Sequence, residues 1–257
     1  NTIKIDSFFD DIKNYNKTIL ITNYPKKDLF DSFHHASTKN NFVILITDKT
    51  IHEFSEELGS NMSLIDHLIS HTKNPNLCLD HLIITLKKIL DDNIFGIEKY
   101  IKPETQIERY QLLKLEEKSE AIKTVTNYAK EFKIGSHLKR LVHGITEELL
   151  MNAIKDAPVA FNKTAPQHNL QKNNDSLTEL QFTCDKNVFI ISVIDQYGSI
   201  QKQTFFKYLL KILHQDEKTK NILDTKKIGA GLGLFKILFC CHTLICNCHY
   251  MKKTEMI

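Results

Sequence analysis

Three of the chain's eight glycines stand within five residues, in Gly229-Ala230-Gly231-Leu232-Gly233-Leu234. Glycines admit positive φ and let a ligand approach the backbone closely, and the apolar run Phe235 to Cys240 that follows has helical spacing. Free N–H groups at the start of such a helix attract phosphate. A dinucleotide fingerprint would follow a strand at once and open a βαβ unit near the start of its domain. Here the glycines follow the polar stretch Asp224 to Lys227 and lie close to the C-terminus. The run therefore reads as a phosphate loop of another architecture, and the residues that complete it are to be sought upstream.

A helix supplies the first of them. From Leu138 the apolar residues Leu141, Val142, Ile145, Leu149, Ala153 and Ala157 recur every three or four positions and define one buried face. Glu148, Asn152 and Lys155 form a second stripe, four and three residues apart. Asparagine is a poor helix former and gives no packing gain there, so its place wants a reason. Its side-chain oxygen suits Mg²⁺ carrying nucleotide phosphates, with Lys155 on a phosphate oxygen and Glu148 as base. The same stripe is also what a solvated helix face looks like. A strand supplies the next element: Val188 to Ile194 is almost continuously apolar, preceded by alternating Leu180, Phe182 and Cys184 across an Asp185-Lys186-Asn187 turn. Asp195 ends it, an acceptor for an adenine amino group at the strand mouth, followed by Gln196, Tyr197 and Gly198.

In order and spacing these elements resemble the histidine-kinase-like (GHKL, or Bergerat) ATPase superfamily, which includes gyrase, histidine kinases, mismatch-repair ATPases and the serine kinases that act as anti-sigma factors. Glu147 to Lys155 looks like the family's N box, Val193-Ile194-Asp195 with Gly198 like its first glycine box, and Gly229 to Leu234 like its second. The resemblance covers about residues 135–257. It implies an α/β sandwich, a mixed sheet covered by helices, with an ATP lid over Ser199 to Ile228 and Thr254 beside the adenine-binding aspartate. It also implies ATP and Mg²⁺ as cofactors, held by Asn152, Lys155, Asp195, Gly198, Gly229, Gly231, Leu232, Gly233, Leu234 and Thr254, with Glu148 catalytic and Asn152 on the metal. The family's usual Asp-Asn-Gly-Xaa-Gly is here Asp195-Gln196-Tyr197-Gly198-Ser199, so the first glycine is displaced. No histidine sits in a recognisable phosphoacceptor hairpin.

The rest of the chain reads as α/β. Thr18 to Thr22 and Phe42 to Thr47 are short β-branched runs around a helical Lys26 to Ala36, a βαβ unit. Helical patterns follow at Ser63 to Ser70 and Leu77 to Leu90. Ile101-Lys102-Pro103 punctuates the chain, and Glu104 to Phe132 has the spacing of one long amphipathic helix. The expected domains are a small α/β domain over residues 1–102, a sensor or docking module, and an ATP-binding domain over 103–257 that includes the long helix. With 257 residues, 42% of them hydrophobic and 25% charged, two small soluble domains are expected. No apolar stretch reaches the roughly 18 residues of a membrane span. A net charge of +3 without a Lys/Arg run argues against nucleic acid. Cys240, Cys241, Cys246 and Cys248 lack the paired spacing of a zinc site and read as reduced thiols.

The function expected is that of a cytoplasmic ATP-binding signalling regulator, a serine/threonine protein kinase or anti-sigma-like switch acting on a protein partner, with a homodimer as one possible assembly. The alternatives are a nucleotide-dependent binding module without kinase activity and a fragment of a sensor histidine kinase.

Overall fold

A computed structural model describes residues 17–23, 27–36, 40–49, 53, 59–70, 75–132, 135–164, 177–185, 188–203, 205–206, 210, 233, 237–238 and 240–257. The described residues fall into two compact units, one of those up to Asn93 together with Phe206 and Leu210, the other of those from Ile94 to Phe205 and from Gly233 to Ile257. Among the described residues no helix is long and apolar enough to cross a membrane.

In the first unit strand β1 (Lys17–Thr22), helix α1 (Lys27–Ala36) and strand β2 (Asn40–Thr47) make the expected βαβ, with β1 and β2 parallel and Ile19 opposite Phe42. The apolar stripe of α1 buries Phe30 and Phe33, while Asp28 in its first turn and His34 and His35 in its last suit the helix dipole. Residues 63–70 do not form a helix. A 3₁₀ turn (Gly59–Leu64) leads into strand β3 (His67–Ser70), which adds to β2 in parallel. Four residues of β-structure buried against helix α2 (Pro75–Leu90) win over the helical spacing, because a short apolar run carries no reliable period. Lys17 closes the end of α2, its Nζ donating to Ile89 O at 2.7 Å and pairing with Asp92 at 2.6 Å.

The second unit is a five-stranded sheet with helices on one face. Strands β4 (Glu108–Leu112), β5 (Thr178–Cys184), β6 (Phe189–Asp195), β7 (Cys246–His249) and β8 (Lys253–Met256) lie in the order β4-β5-β6-β8-β7. Every pairing described in it is antiparallel, whereas a mixed sheet was expected; the parallel pairs are those of the first unit. Leu180, Phe182, Val193 and Met256 point to one face and pack under helix α3 (Lys118–Glu131) and helix α4 (Ser136–Met151) through Ala121, Val125, Ala129, Val142, Leu149 and Leu150.

The long helix expected over residues 104–132 is corrected here. Its first part is β4, paired with β5 so that Tyr110 lies opposite Leu180, and only Lys118–Glu131 is helical. Residues 109 to 112 alternate exposed and inward-facing, a period of two that the charged residues Glu108 and Arg109 disguised. Upstream, residues 94–107 belong to this unit and cross the sheet's other face. Gly96 N donates to both carboxylate oxygens of Glu255, at 3.1 and 3.0 Å, and Gln106 O accepts from Thr183 Oγ1 at 2.6 Å.

Candidate functional site

Helix α4 carries the acid and the amide. Its buried face, Val142, Leu149 and Leu150, anchors it on the sheet and leaves Glu148 and Asn152 half-buried along its flank. At Asn152 the helix changes. Residues Asn152–Asp156 form a π turn, with Ala157 N donating to Asn152 O, before α-helix resumes as α5 (Ala157–Thr164). Pro158 explains it: in a continuous α-helix its ring would strike the carbonyl of Ile154 and its missing N–H would leave that carbonyl unpaired. The wider turn absorbs both faults, and such turns recur at functional sites. Lys155 is exposed, and among the described residues it makes no ion pair or hydrogen bond.

The π turn packs on β6 through Ala153 and Ile154 against Val193. Two residues on, Asp195 ends the strand on the same face as Val193, the face that the helices cover. It is 5% exposed, and its Oδ1 accepts the backbone N–H of Tyr197 at 2.8 Å and of Gly198 at 3.1 Å. Tyr197 is core: its ring meets Phe161 of α5 edge-on at 5.6 Å beside Ala157. That is a physical reason for the displaced glycine, since the loop after Asp195 spends one residue on an anchor to α5 before it turns. Gly198 makes the turn at φ +60°, and its carbonyl accepts Met251 N at 2.8 Å. A Cβ there would stand 2.2 Å from His249 O.

Thr254 lies directly opposite Asp195 in the β6–β8 ladder, 1% exposed and on the same face, as the expected pairing of adenine-binding residues requires. Cys248 pairs with Thr254 across β7–β8, its Sγ 3.9 Å from Thr254 Oγ1 and donating to Ile200 O at 3.2 Å. Burial pushes the Cys248 thiol up, the Thr254 hydroxyl pulls it back in part, and the charge of Asp195 pushes it up again, which keeps it protonated. Sequence reasoning placed Cys246 and Cys248 on a strand but missed this neighbour. Counting back from Thr254 through the turn at Met251 would have found it. Among the described residues no three His, Cys, Asp or Glu side chains gather as a metal site does.

The run Gly229 to Leu234 enters through one described residue. Gly233 is helical and lies against α4: a Cβ built on it would fall 2.3 Å from Glu148 Oε2 and 3.8 Å from Glu148 Cβ. Two motifs 85 positions apart thus meet, with only a hydrogen atom's room between them. Gly229, Gly231, Leu232, Leu234 and the lid from residue 211 to 228 lie outside the described residues.

A cleft of about 1010 Å³ in the second unit lies elsewhere, between residues 102–108, α3 and the end of β5. None of Glu148, Asn152, Asp195 or Thr254 lines it. Compared with known proteins, the chain matches no family model and no curated sequence.

Proposed function

We propose that residues 135–257 form a histidine-kinase-like ATP-binding domain, a Bergerat-type α/β sandwich, that works as a serine/threonine protein kinase or anti-sigma-like switch on a protein partner. The observation that carries the reading is the approach of Gly233 to Glu148, because it joins the two motifs that a phosphate site needs to share. The pairing of buried Asp195 with buried Thr254 supports the adenine end.

The residues present fit the nucleotide and its metal. Asp195 and Thr254 offer an acceptor and a hydroxyl in a dry corner, where a hydrogen bond from an adenine amino group is worth most. The Asn152 side chain supplies a neutral oxygen for Mg²⁺, which would neutralise charge on the phosphates when bound. Backbone N–H groups of the glycine box hold the phosphate oxygens, and Glu148, packed against Gly233, takes the proton from the attacking hydroxyl. Lys155, exposed on the turn beyond, contributes positive potential rather than a fixed contact.

Calorimetry with Asp195→Asn tests it. The asparagine oxygen can still accept from Tyr197 N and Gly198 N, so the turn survives, but the carboxylate charge that would strengthen a hydrogen bond from an adenine amino group is gone. ATP should bind the parent with Mg²⁺ and bind the variant at least tenfold more weakly, about 1.4 kcal/mol. Equal affinity overturns the adenine assignment. Incubation with γ-labelled ATP and co-purified partners separates the kinase, which leaves acid-stable phosphate on Ser or Thr, from the binding module, which leaves none.

A further inference from the structure

The large cleft of the second unit is independent of the nucleotide reading and takes its chemistry from three separate elements. Its floor is aromatic. Tyr128 of α3 stacks obliquely on Phe132 at 4.9 Å and edge-on to Phe182 of β5 at 5.1 Å, and Phe132 stays 44% exposed. Its walls carry Glu104 from the segment leading into β4, Glu108 from the start of β4, Glu131 from α3 and Asp185 just past the end of β5, and among the described lining residues one ammonium, Lys102. Among the described residues no lysine or arginine is ion-paired with Glu104, Glu108 or Glu131. Lys130, on the same helix as Glu131, is turned to Asn127 Oδ1 at 2.8 Å.

Carboxylates alone would gather any cation. Ring faces beside them select one that is weakly hydrated and carries alkyl groups, because a cation over an aromatic face gains from the ring quadrupole only where it has shed water. The volume of about 1010 Å³ is at the upper end of small-molecule sites, enough for an extended ligand with more than one charge. A lining drawn from three elements, rather than a stripe along one face, favours a free molecule over a docked protein segment. We propose that this cleft is a binding site for an organic polycation of the polyamine class, its ammonium groups held by Glu104, Glu108, Glu131 and Asp185 and its alkyl chain lying over Tyr128 and Phe132.

The test is calorimetric titration of the full chain with spermidine at low salt, beside Mg²⁺ and a lysine-rich peptide as separate arms. Spermidine should bind saturably and at least tenfold more tightly than Mg²⁺, although the chain's own net charge of +3 opposes cations in general. Glu104→Gln with Glu131→Gln should weaken it at least tenfold. Phe132→Leu, which keeps an apolar side chain but removes the ring, should weaken it about threefold or more. All three residues are exposed, so the variants should melt with the parent, and that melting temperature shows that lost binding is not lost folding. The proposal is overturned if millimolar spermidine gives no saturable heat, if Mg²⁺ binds as tightly, if the double variant binds like the parent, or if the peptide binds more tightly than spermidine, which would make the cleft a protein-docking site.

Discussion

Gly198→Ala should destabilise the second unit by about 2–5 kcal/mol, and the figure comes in two parts. The first is conformational: the residue sits at φ +60°, a left-handed position that costs a side-chain-bearing residue roughly 1–2 kcal/mol. The second is steric. A Cβ would stand 2.2 Å from His249 O, 2.6 Å from Lys252 N and 2.7 Å from Lys253 N, all backbone atoms of the β7–β8 hairpin. They cannot swing aside as a side-chain end does, because Lys252 N is bonded to His249 O at 2.9 Å and Met251 N to Gly198 O at 2.8 Å. Overpacking of this kind costs about 1–3 kcal/mol more. Gly59 gives the control, with φ +49° and nothing within 4 Å of its Cβ position, so Gly59→Ala carries the conformational part alone. Urea unfolding followed by circular dichroism, with each unit's transition fitted separately, measures both. If Gly198→Ala costs no more than Gly59→Ala, the hairpin does not press on this turn and the geometry around Asp195 is wrong.

The other glycine should behave in the opposite way. Gly233→Ala meets the far end of the Glu148 side chain, which can rotate away, so stability should change by less than about 1 kcal/mol while phosphoryl transfer or hydrolysis falls at least tenfold; unchanged turnover would sink the role given to Glu148. Asn152→Ala should leave the melting temperature level or slightly raised, by roughly 0.5 kcal/mol of helix propensity, and abolish the Mg²⁺ dependence of ATP affinity. A marked fall in melting temperature would mean that Asn152 holds the π turn together instead. Glu255→Leu should cost about 2–4 kcal/mol, because Gly96 N, Ser192 Oγ and Asn247 Nδ2 would lose the fully buried carboxylate that accepts from them at 2.9 to 3.1 Å. Denaturation that leaves the variant within error of the parent would falsify that account.

What was legible in the sequence was whatever repeats with a period. The 3.6-residue stripe from Leu141 to Ala153 and the buried run ending at Asp195 gave α4 and β6, and from them the neighbourhood of Glu148, Asn152 and Asp195. Thr254 came from the resemblance alone, and it lands opposite Asp195. The misses came from elements whose signal is not periodic. Strand β4 hides behind charged outward residues, and β3 is too short to show its alternation. The π turn was readable in principle: Pro158 inside an apolar helical pattern requires a break about a turn earlier. Glu255 gave no signal, because a lone Glu near the chain end reads as surface until its partners are known.

Buried polar groups lie on both faces of the same sheet, and the backbone around them differs. On the face crossed by residues 94–107, Glu255 is fully buried and accepts from Gly96, Ser192 and Asn247, donors drawn from three parts of the unit. Acceptors matched to donors from the chain itself make a clamp, and a clamp has no need of a ligand. On the helix-covered face the polar residues Asp195, Thr254 and Cys248 stand together at the open end of β6, next to a helix that leaves its α path at Asn152. There the backbone has been bent by Pro158, and the turn at Gly198 is held in a conformation that glycine tolerates best. Distortion concentrated at one end of an otherwise regular sheet is the physical ground for proposing the nucleotide site there.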